Sequence, residues 1–270
     1  MISIITAIHN QYAMNVLFWE YLQRYTSHPF ELIVIDNAST DESAAFFESV
    51  GARVIRNTAN YSYPYSQNRG MALAKYDWLA FLNNDILVSP SWDQSLIETM
   101  MVQGLEVATV CGIDMVESET AKLQLKRRWQ RIKNFLSLFG RSQRILRLMH
   151  RWMYPNWELF CQQRKTHFRH QIRLGFVGNT VMIRRSALAK VGQWDERIQS
   201  GDFDLYLRTY KRALEVGDIK PMHICLDTFI HHYIHLTSKT DYPQFADHEN
   251  LLTLEQKWSA QELLWLDSIK

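Results

Sequence analysis

Residues 76–85 read YDWLAFLNND, an apolar run that stops abruptly at small amide and acidic side chains. An apolar run of this length is typical of a buried strand. It ends in Asn83, Asn84 and Asp85, whose side-chain oxygens suit a cation or a polar ligand at the edge of a sheet. The stretch therefore predicts a sheet protein with a polar site where this strand ends.

The flanking segments alternate between strand-like and helix-like patterns. Strands are predicted at residues 2–8, 30–35, 52–56, 77–82 and 107–111, and helices at residues 12–25, 39–50, 66–75 and 91–103. Because strands that alternate with helices at this spacing pair in parallel through right-handed crossovers, we expect an α/β fold with a mostly parallel sheet flanked by helices. Such sheets bind ligands beyond the carboxyl ends of their strands.

The second half of the chain first loses this pattern and then regains it. No strand is predicted from about residue 117 to 173. Extended segments follow at residues 174–178, 181–184, 222–226 and 228–233, with helices at residues 203–214 and 247–266. We therefore predict one domain with a long insertion. Its expected parts are residues 1–115, the insertion at 118–173, residues 174–240 and a C-terminal helical segment at 241–270.

Composition limits the class of protein. The chain has 270 residues and 47% of them are hydrophobic, which suffices for a sizeable core. Its three cysteines, Cys111, Cys161 and Cys225, form no CxxC pair, so neither a zinc site nor a disulfide framework is expected. No signal peptide and no apolar run of about 18 residues are apparent, so we expect a cytoplasmic protein with reduced thiols.

Polar side chains also follow the first two strands. His9 and Asn10 come after the first strand, and Asp36 and Asn37 come at the end of the second. A carboxylate such as that of Asp36 can accept two hydrogen bonds from a base edge or a ribose diol, which suits a nucleoside. The alternative is that Asp36 only caps the turn that leads to Ser39.

Asp85 and His232 are the candidate metal ligands. Mg²⁺ and Mn²⁺ prefer oxygen ligands and need only one or two carboxylates when a bound phosphate supplies the others. Imidazole is tolerated by Mn²⁺, and His232 belongs to a histidine-rich segment with His231 and His235. The alternatives are that Asp85 is a turn residue and that the histidines are ordinary core or surface residues.

A second acidic cluster, Asp202 and Asp204, immediately precedes a predicted helix. Acidic side chains at a helix N-terminus are stabilised by the helix dipole, which by itself accounts for both carboxylates. The functional alternative is that one of them acts as a general base and takes the proton of an acceptor hydroxyl.

Residues 122–173 form a basic block inside an acidic chain. They contain 14 Lys and Arg and a single acid, Glu158, whereas the rest of the chain has 16 basic and 27 acidic residues. Apolar residues recur at helical spacing beside the arginines, from Trp129 to Phe139 and from Ile145 to Met153. This pattern is typical of membrane-surface helices, but a hairpin packed on the body is equally compatible. Nucleic-acid binding is disfavoured because the body is acidic and has no known nucleic-acid motif.

The order of the motifs resembles glycosyltransferase family 2, whose members are inverting GT-A enzymes that use nucleotide sugars. The segments that carry the resemblance are Ile2–Asn10, Glu31–Asp41, Asn68–Gly70, Ala74, Phe81–Asp85, Gly178, Arg185, Val191–Glu196, Asp202–Arg208, His232–Thr237, Asn250 and Lys257–Trp258. Each motif is weak by itself, but their common order over about residues 1–115 and 174–260 is specific.

The resemblance implies metal-dependent transfer of a sugar from a nucleotide-diphospho-sugar, with UDP- or dTDP-sugars favoured. The implied acceptor is a hydroxyl of a glycan, a polysaccharide or a lipid-linked molecule. On this basis Asp85 and His232 bind Mn²⁺ or Mg²⁺, and Asp202 is the catalytic base with Asp204 as the alternative. We further hypothesise that the insertion covers the acceptor side and docks on anionic lipid or a lipid-linked, phosphate-bearing acceptor. Such docking would hold the protein at the inner face of a membrane.

The resemblance also assigns residues around the substrates. Asp36 corresponds to the nucleobase contact, and Ala7 and His9 to the nucleoside pocket. Further donor-side candidates are Asn68, Asn83 and Asn84, and the acceptor-side candidates are Trp194 and Asp195. Residues 1–115 thus become the nucleotide-sugar-binding half, and residues 174–240 the acceptor and catalytic half.

Three positions depart from the family pattern. Asn83 replaces the first Asp of the DxD motif, Gly201 stands where Glu is usual, and Ile234 stands where Gly is usual. The competing interpretations are a non-catalytic relative that binds a nucleotide sugar or a membrane, and a nucleotidyltransferase. The second would need a Gly-rich, basic loop after the first strand, and this sequence has neither glycine nor a basic residue there.

Overall fold

The computed structural model of the chain describes residues 1–234 and 244–267. In this part of the chain nine strands form one sheet. In chain order they are β1 (Ile2–Ile8), β2 (Phe30–Asp36), β3 (Arg53–Arg56), β4 (Trp78–Leu82), β5 (Ile86–Val88), β6 (Val107–Gly112), β7 (Ile172–Leu174), β8 (Thr180–Arg184) and β9 (His223–His232). The predicted α/β class is confirmed, while the motif residues His235 and Thr237 lie outside the described residues.

Helices cover both faces of the sheet. They are α1 (Tyr12–Tyr25), α2 (Ser43–Ser49), α3 (Tyr63–Leu73), α4 (Trp92–Gln103), α5 (Glu119–Leu136), α6 (Gln143–Met153), α7 (Trp157–His167), α8 (Arg185–Val191), α9 (Gly201–Glu215), α10 (Leu254–Lys257) and α11 (Ala260–Asp267). One apolar cluster lies between the sheet and α1, α2 and α4, and a second lies between the opposite face and α3, α8 and α9. Neighbouring residues of β1 serve both clusters, because Ile4 belongs to the first and Ile5 to the second.

The sheet order is β3-β2-β1-β4-β8-β6-β9-β5, and β7 also pairs with β9. The pairs β3–β2, β2–β1, β1–β4 and β6–β9 are parallel. Strand β8 runs against β4 and β6, and both β5 and β7 run against β9. Six of the nine strands in the described residues, β1, β2, β3, β4, β6 and β9, therefore run in the same direction, which confirms the prediction of a mostly parallel sheet. Strands β1, β2, β4, β6 and β9 all direct their carboxyl ends to one edge, where ligands of such sheets bind.

Some predicted bounds differ from the structure for identifiable reasons. Strand β5 was not predicted, because it has three residues and is defined by its pairing with β9. Strand β7 ends before Gly175, whose φ of 139° departs from strand geometry. The predicted helix over residues 247–266 is divided into a 3-10 turn (His248–Asn250), α10 and α11, because the backbone is extended at Leu251 and again at Trp258, whose indole N–H donates to Asp204 at 2.9 Å.

The insertion folds as three helices, α5 to α7, and α7 was not predicted. The buried side chains of the insertion form a third apolar cluster with α1 and β9. This cluster includes Trp129, Leu136, Met149 and Met153. For these residues the structure has the second of the two alternatives, an apolar stripe packed on the body. None of the helices within residues 1–234 and 244–267 combines the length and apolarity needed to cross a bilayer.

The two tryptophans of the hairpin provide a matched test of this packing. Trp129 is 1% exposed and Trp152 is 45% exposed. We expect Trp129→Ala to lower the free energy of unfolding by about 3–5 kcal/mol, and Trp152→Ala by about 1 kcal/mol, because only the first leaves a buried cavity. Urea denaturation measures both, and equal losses would contradict the packing.

Candidate active site

The carboxyl ends of the parallel strands border a cleft of about 480 Å³, a size common among small-ligand sites. Its lining residues are Ala7, Ile8, His9, Gln11, Asn37, Tyr61, Tyr63, Asn83, Asn84, Asp85, Gln199 and Phe245. Five predicted site residues thus meet here, namely Ala7, His9, Asn83, Asn84 and Asp85.

Hydrogen bonds between the loops that follow β1, β2 and β4 hold one wall of the cleft. The ring Nδ1 of His9 lies 2.7 Å from the carbonyl oxygen of Asn37. The amide of Asn84 donates to Asn15 at 2.7 Å, and the amide of Asn15 donates to the carbonyl of Asn10 at 2.9 Å. These contacts position His9 and Asn84 independently of any ligand.

Asp36 lies beneath this wall rather than at its surface. It is 2% exposed, and its Oδ1 accepts the backbone N–H of Ser39 at 3.1 Å. This is the turn-capping contact that the sequence offered as the alternative. Asn37 lines the cleft instead, and its side chain is held by Asn57 and Ser66. A nucleobase contact by Asp36 stays a prediction.

Asp85 and His232 are brought together by the pairing of β5 with β9. Oδ2 of Asp85 lies 3.4 Å from Nε2 of His232. The other ring nitrogen, Nδ1, lies 2.7 Å from Oδ2 of Asp114, which also accepts the amide of Asn179 at 3.1 Å. Asp114 therefore orients the imidazole so that Nε2 faces Asp85, an arrangement that commonly supports a metal-binding histidine.

Charge around His232 favours a cation at this position. Burial alone lowers the pKa of His232, but the carboxylates of Asp85 and Asp114 outweigh burial and raise its pKa to about 10. The imidazolium therefore holds a positive charge between two carboxylates. A metal ion that binds Nε2 would replace this proton.

The donor atoms present fit a divalent cation that is shared with a substrate. Among the described residues, no group of three or more His, Cys, Asp or Glu side chains has the arrangement of a metal site. Asp85 and His232 nevertheless supply a carboxylate oxygen and an imidazole nitrogen in contact with each other. Two such donors fit a cation that takes its remaining ligands from phosphate oxygens and water.

A second pocket of about 430 Å³ adjoins the cleft. It is lined by Tyr63, Asn83, Phe176, Gly178, Gln199, Ser200, Gly201, Asp202 and Phe203. Tyr63, Asn83 and Gln199 line both cavities. The predicted metal ligand Asp85 and the predicted base Asp202 therefore lie in adjoining cavities that share one wall.

Asp202 lies at the start of α9 with its carboxylate in confined surroundings. A Cβ at Gly178 would lie 2.9 Å from Oδ2 of Asp202, so only glycine leaves room for the carboxylate in this position. Burial raises the pKa of Asp202 to about 8, and a hydrogen bond from the hydroxyl of Tyr63 partly opposes that increase. Its Oδ1 has no hydrogen-bond partner within the described ranges of the chain. An acid with such a pKa and a vacant acceptor oxygen suits proton transfer near neutral pH.

Asp204 lies in a different environment. It is fully buried, and its carboxylate contacts Arg208 at 2.8 Å and Lys257 at 2.6 Å. The indole N–H of Trp258 donates to the same carboxylate at 2.9 Å. These donors engage both carboxylate oxygens, so Asp204 ties α9 to the C-terminal segment and does not line either cavity.

Three further predicted site residues, Asn68, Trp194 and Asp195, are held by hydrogen bonds and ion pairs outside the two cavities. The amide of Asn68 donates to the carbonyl of Trp194 at 2.9 Å and accepts its N–H at 3.1 Å. Asp195 pairs with Arg197 at 2.9 Å and Lys257 at 2.8 Å, and these cations hold its pKa well below the usual range. None of Asn68, Trp194 and Asp195 lines either of the two cavities, so their substrate contacts stay predictions.

The glycine at position 201 is explained by its neighbours. A Cβ there would lie 3.3 Å from the ring of Trp194 and 3.7 Å from Pro64. Trp194 in turn packs edge-on against Tyr63 and Phe81. A side chain at position 201 would therefore require the buried indole of Trp194 to shift by a few tenths of an ångström, which glycine avoids.

Four residues that line a cavity or contact His232 were not among the predicted site residues, namely Asp114, Tyr61, Tyr63 and Gln199. Asp114 follows the end of β6 by two residues, a pattern similar to that of Asp85 after β4. Tyr61 and Tyr63 belong to an aromatic-rich segment that leads into α3. Both signals are present in the sequence, whereas the proximity of Gln199 to Tyr63 is apparent only from the fold.

Comparison with known proteins identifies the family. The sequence profile described as Glycosyl transferase family 2 matches residues 3–192, which is more than half of the chain. The chain therefore belongs to glycosyl transferase family 2. The matched range crosses α5 to α7 and ends before Asp202 and His232, so the assignment of these two residues depends on the resemblance and on the geometry described above.

The individual relatives either have low sequence identity to the chain or align with only part of it. The chain is 32% identical over 101 residues to an uncharacterized glycosyltransferase of Haemophilus influenzae. The aligned region covers 37% of this chain and 34% of that protein. It is 24% identical over 103 residues to a hyaluronan synthase of Pasteurella multocida, which covers 36% of this chain and 11% of the synthase. The S. aureus TarS 1-349 structure in complex with UDP shares the fold, with a TM-score of 0.53 and 14% identity over 85% of this chain and 60% of that chain.

The different surroundings of the two α9 carboxylates can be tested by stability. Asp204→Asn removes the anion between Arg208 and Lys257, and we expect it to cost about 3–5 kcal/mol of unfolding free energy. Asp202→Asn replaces a carboxyl that is largely protonated at pH 7 with a neutral amide, so we expect a change within about 1 kcal/mol. Urea denaturation at pH 7 compares them, and a greater loss for Asp202→Asn would contradict the assignment.

Proposed function

We propose that this protein is a glycosyltransferase that moves a sugar, with inversion, from a nucleotide-diphospho-sugar to an acceptor hydroxyl. The observation that carries the proposal is the pair of adjoining cavities. One is lined by Asp85, whose carboxylate contacts His232, and the other is lined by Asp202, and the two share Tyr63, Asn83 and Gln199. Membership of glycosyl transferase family 2 supports the same activity.

In this proposal the larger cleft receives the donor. Its strand-end position and polar lining suit a nucleotide, with the small Ala7 and the fixed ring of His9 beside the nucleoside. The S. aureus TarS structures in complex with UDP and with UDP-GlcNAc have the same fold. We therefore favour UDP- or dTDP-sugars as donors, and a glycan, a polysaccharide or a lipid-linked molecule as the acceptor.

Asp85 and His232 would hold Mn²⁺ or Mg²⁺, which supplies positive charge to offset the charge that develops on the leaving diphosphate. Asp114 keeps the His232 ring in the required orientation. Asn83 and Asn84 line the cleft beside Asp85. The amide at Asn83 brings a neutral group where the family pattern has a carboxylate, which leaves the cation fewer protein charges.

Asp202 acts as the general base in this mechanism. Its carboxylate takes the proton of the acceptor hydroxyl while the hydroxyl oxygen attacks the anomeric carbon. The bond from that carbon to the diphosphate oxygen breaks with its electron pair on the diphosphate, so one displacement inverts the configuration. No nucleophile from the protein is required, and the hydroxyl of Tyr63 orients the base.

Donor binding and transfer are separable in this account. In a thermal-shift panel of UDP-, dTDP-, GDP- and CMP-sugars, we expect a true donor to raise the melting temperature more with Mn²⁺ than with EDTA. We expect Asp85→Asn to lose the Mn²⁺-dependent part of the shift. Asp202→Asn should keep the shift and reduce transfer by about 100- to 10,000-fold, the usual contribution of a general base.

Two outcomes would contradict these assignments. A transfer rate that survives Asp202→Asn but not Asp204→Asn would move the base by two residues. Donor-dependent stabilisation without transfer to any hydroxyl acceptor would instead favour a non-catalytic nucleotide-sugar-binding protein.

The pH dependence provides an independent test of Asp202. The base must be ionised, so we expect kcat/KM to rise with pH up to about 8 and then to level off. Tyr63 lowers the pKa of Asp202 through its hydrogen bond. Tyr63→Phe should therefore shift the rising part of the pH profile of kcat/KM to higher pH. Tyr65→Phe is the matched control, because Tyr65 stacks on Tyr61 and lines neither cavity. An unshifted profile for Tyr63→Phe would contradict the role of this hydrogen bond.

A further inference from the structure

The last turn of α5 and the connection that follows it present large apolar side chains to solvent. Phe135 is 51% exposed, Leu138 is 80% exposed and Phe139 is 63% exposed, and Trp152 of α6 lies beside them. We call these four residues the hairpin tip. They are the part of the predicted apolar stripes that the packing on the body leaves uncovered.

The hairpin tip is an ordered feature rather than a loose loop. The rings of Phe135 and Trp152 stack at 6.0 Å with an interplanar angle of 13°, and Phe135 packs edge-on against Phe139 at 5.7 Å. Behind the tip, Trp129 and Leu136 are buried in the third apolar cluster. The exposed rings are therefore held in place before any partner binds, which lowers the entropic cost of binding.

Exposed arginines lie along both helices of the same hairpin. Arg127 and Arg131 of α5 and Arg144 and Arg151 of α6 are exposed, and none of these four pairs with a carboxylate in the described parts of the chain. Arg128 donates to the carbonyl of Trp152 at 2.9 Å, which brings a fifth guanidinium to the tip. The uncompensated arginines and the exposed apolar side chains thus belong to the same surface element, the hairpin of α5 and α6.

From this surface we propose that the hairpin tip enters the interface of an anionic lipid bilayer. Aromatic and aliphatic side chains enter the boundary between headgroups and acyl chains, while the surrounding arginines contact anionic headgroups. A neutral apolar partner would leave these arginines uncompensated, and a nucleic acid would leave Leu138 and Phe139 exposed. A bilayer with anionic headgroups satisfies both features.

The hairpin is connected to the candidate active site through the end of β9. The hydroxyl of Tyr233 donates to the carbonyl of Leu146 at 2.8 Å, and Lys133 donates to the carbonyl of Ile234 at 3.3 Å. Both contacts involve residues that directly follow His232, so the hairpin is held against the segment that carries this histidine. Lipid binding itself does not depend on the proposed sugar transfer.

Vesicle cosedimentation of the full chain tests the proposal. Vesicles of phosphatidylcholine alone are compared with vesicles that also contain phosphatidylglycerol, at low and high salt. We expect binding to the anionic vesicles that weakens as salt screens the arginines, and little binding to the neutral ones. Absence of binding to anionic vesicles at low salt would overturn the proposal, as would equal, salt-independent binding to both.

Paired variants identify the surface. We expect Leu138→Ser/Phe139→Ser to weaken binding about tenfold or more, since both side chains lose their burial in lipid. Its control is Met101→Ser/Val102→Ser, another pair of exposed apolar residues, on α4.

Arg127→Gln/Arg131→Gln should weaken binding about tenfold, and its control is Arg53→Gln/Arg56→Gln on β3, which removes the same charge. Equal effects of test and control pairs would overturn the assignment of the tip.

Discussion

The pairing of β5 with the end of β9 is the constraint on which the candidate site depends. In its register Ile86 lies opposite His232, and the backbone N–H of Tyr233 donates to the carbonyl of Asp85 at 2.9 Å. Two side chains from distant parts of the sequence are therefore brought together by backbone hydrogen bonds. Because neighbouring residues of a strand point to opposite faces, a slip of one residue would turn His232 away from Asp85.

The second pocket depends on a different anchor, the buried carboxylate of Asp204. Its contacts with Arg208, Lys257 and Trp258 fix the first turn of α9 against the C-terminal segment. The same turn carries Asp202 two residues earlier, so an ion pair that takes no part in proton transfer positions the proposed base. The two acidic residues thus have separate tasks, although the sequence presents them as equivalent.

Much of the larger cleft was predictable, because the end of a strand can be recognised from the change between apolar and polar residues. This rule places Asp85 at the edge of the sheet that borders the cleft. The same rule applied to the end of β6 would have predicted Asp114. The distinction between Asp202 and Asp204 was not predictable in the same way. It depends on Lys257, which reaches Asp204 only through the tertiary fold. Which apolar residues of the insertion are buried and which are exposed likewise depends on how the hairpin packs.

The central claim is that Asp85 and His232 hold one cation together with the diphosphate. A double-mutant cycle with Asp85→Asn and His232→Gln, measured by calorimetric titration of UDP, tests it most directly. We predict that with Mn²⁺ the double variant binds UDP about as weakly as the weaker single variant, and that this coupling disappears in EDTA. Additive losses with Mn²⁺, or coupling of the same size in EDTA, would contradict the account.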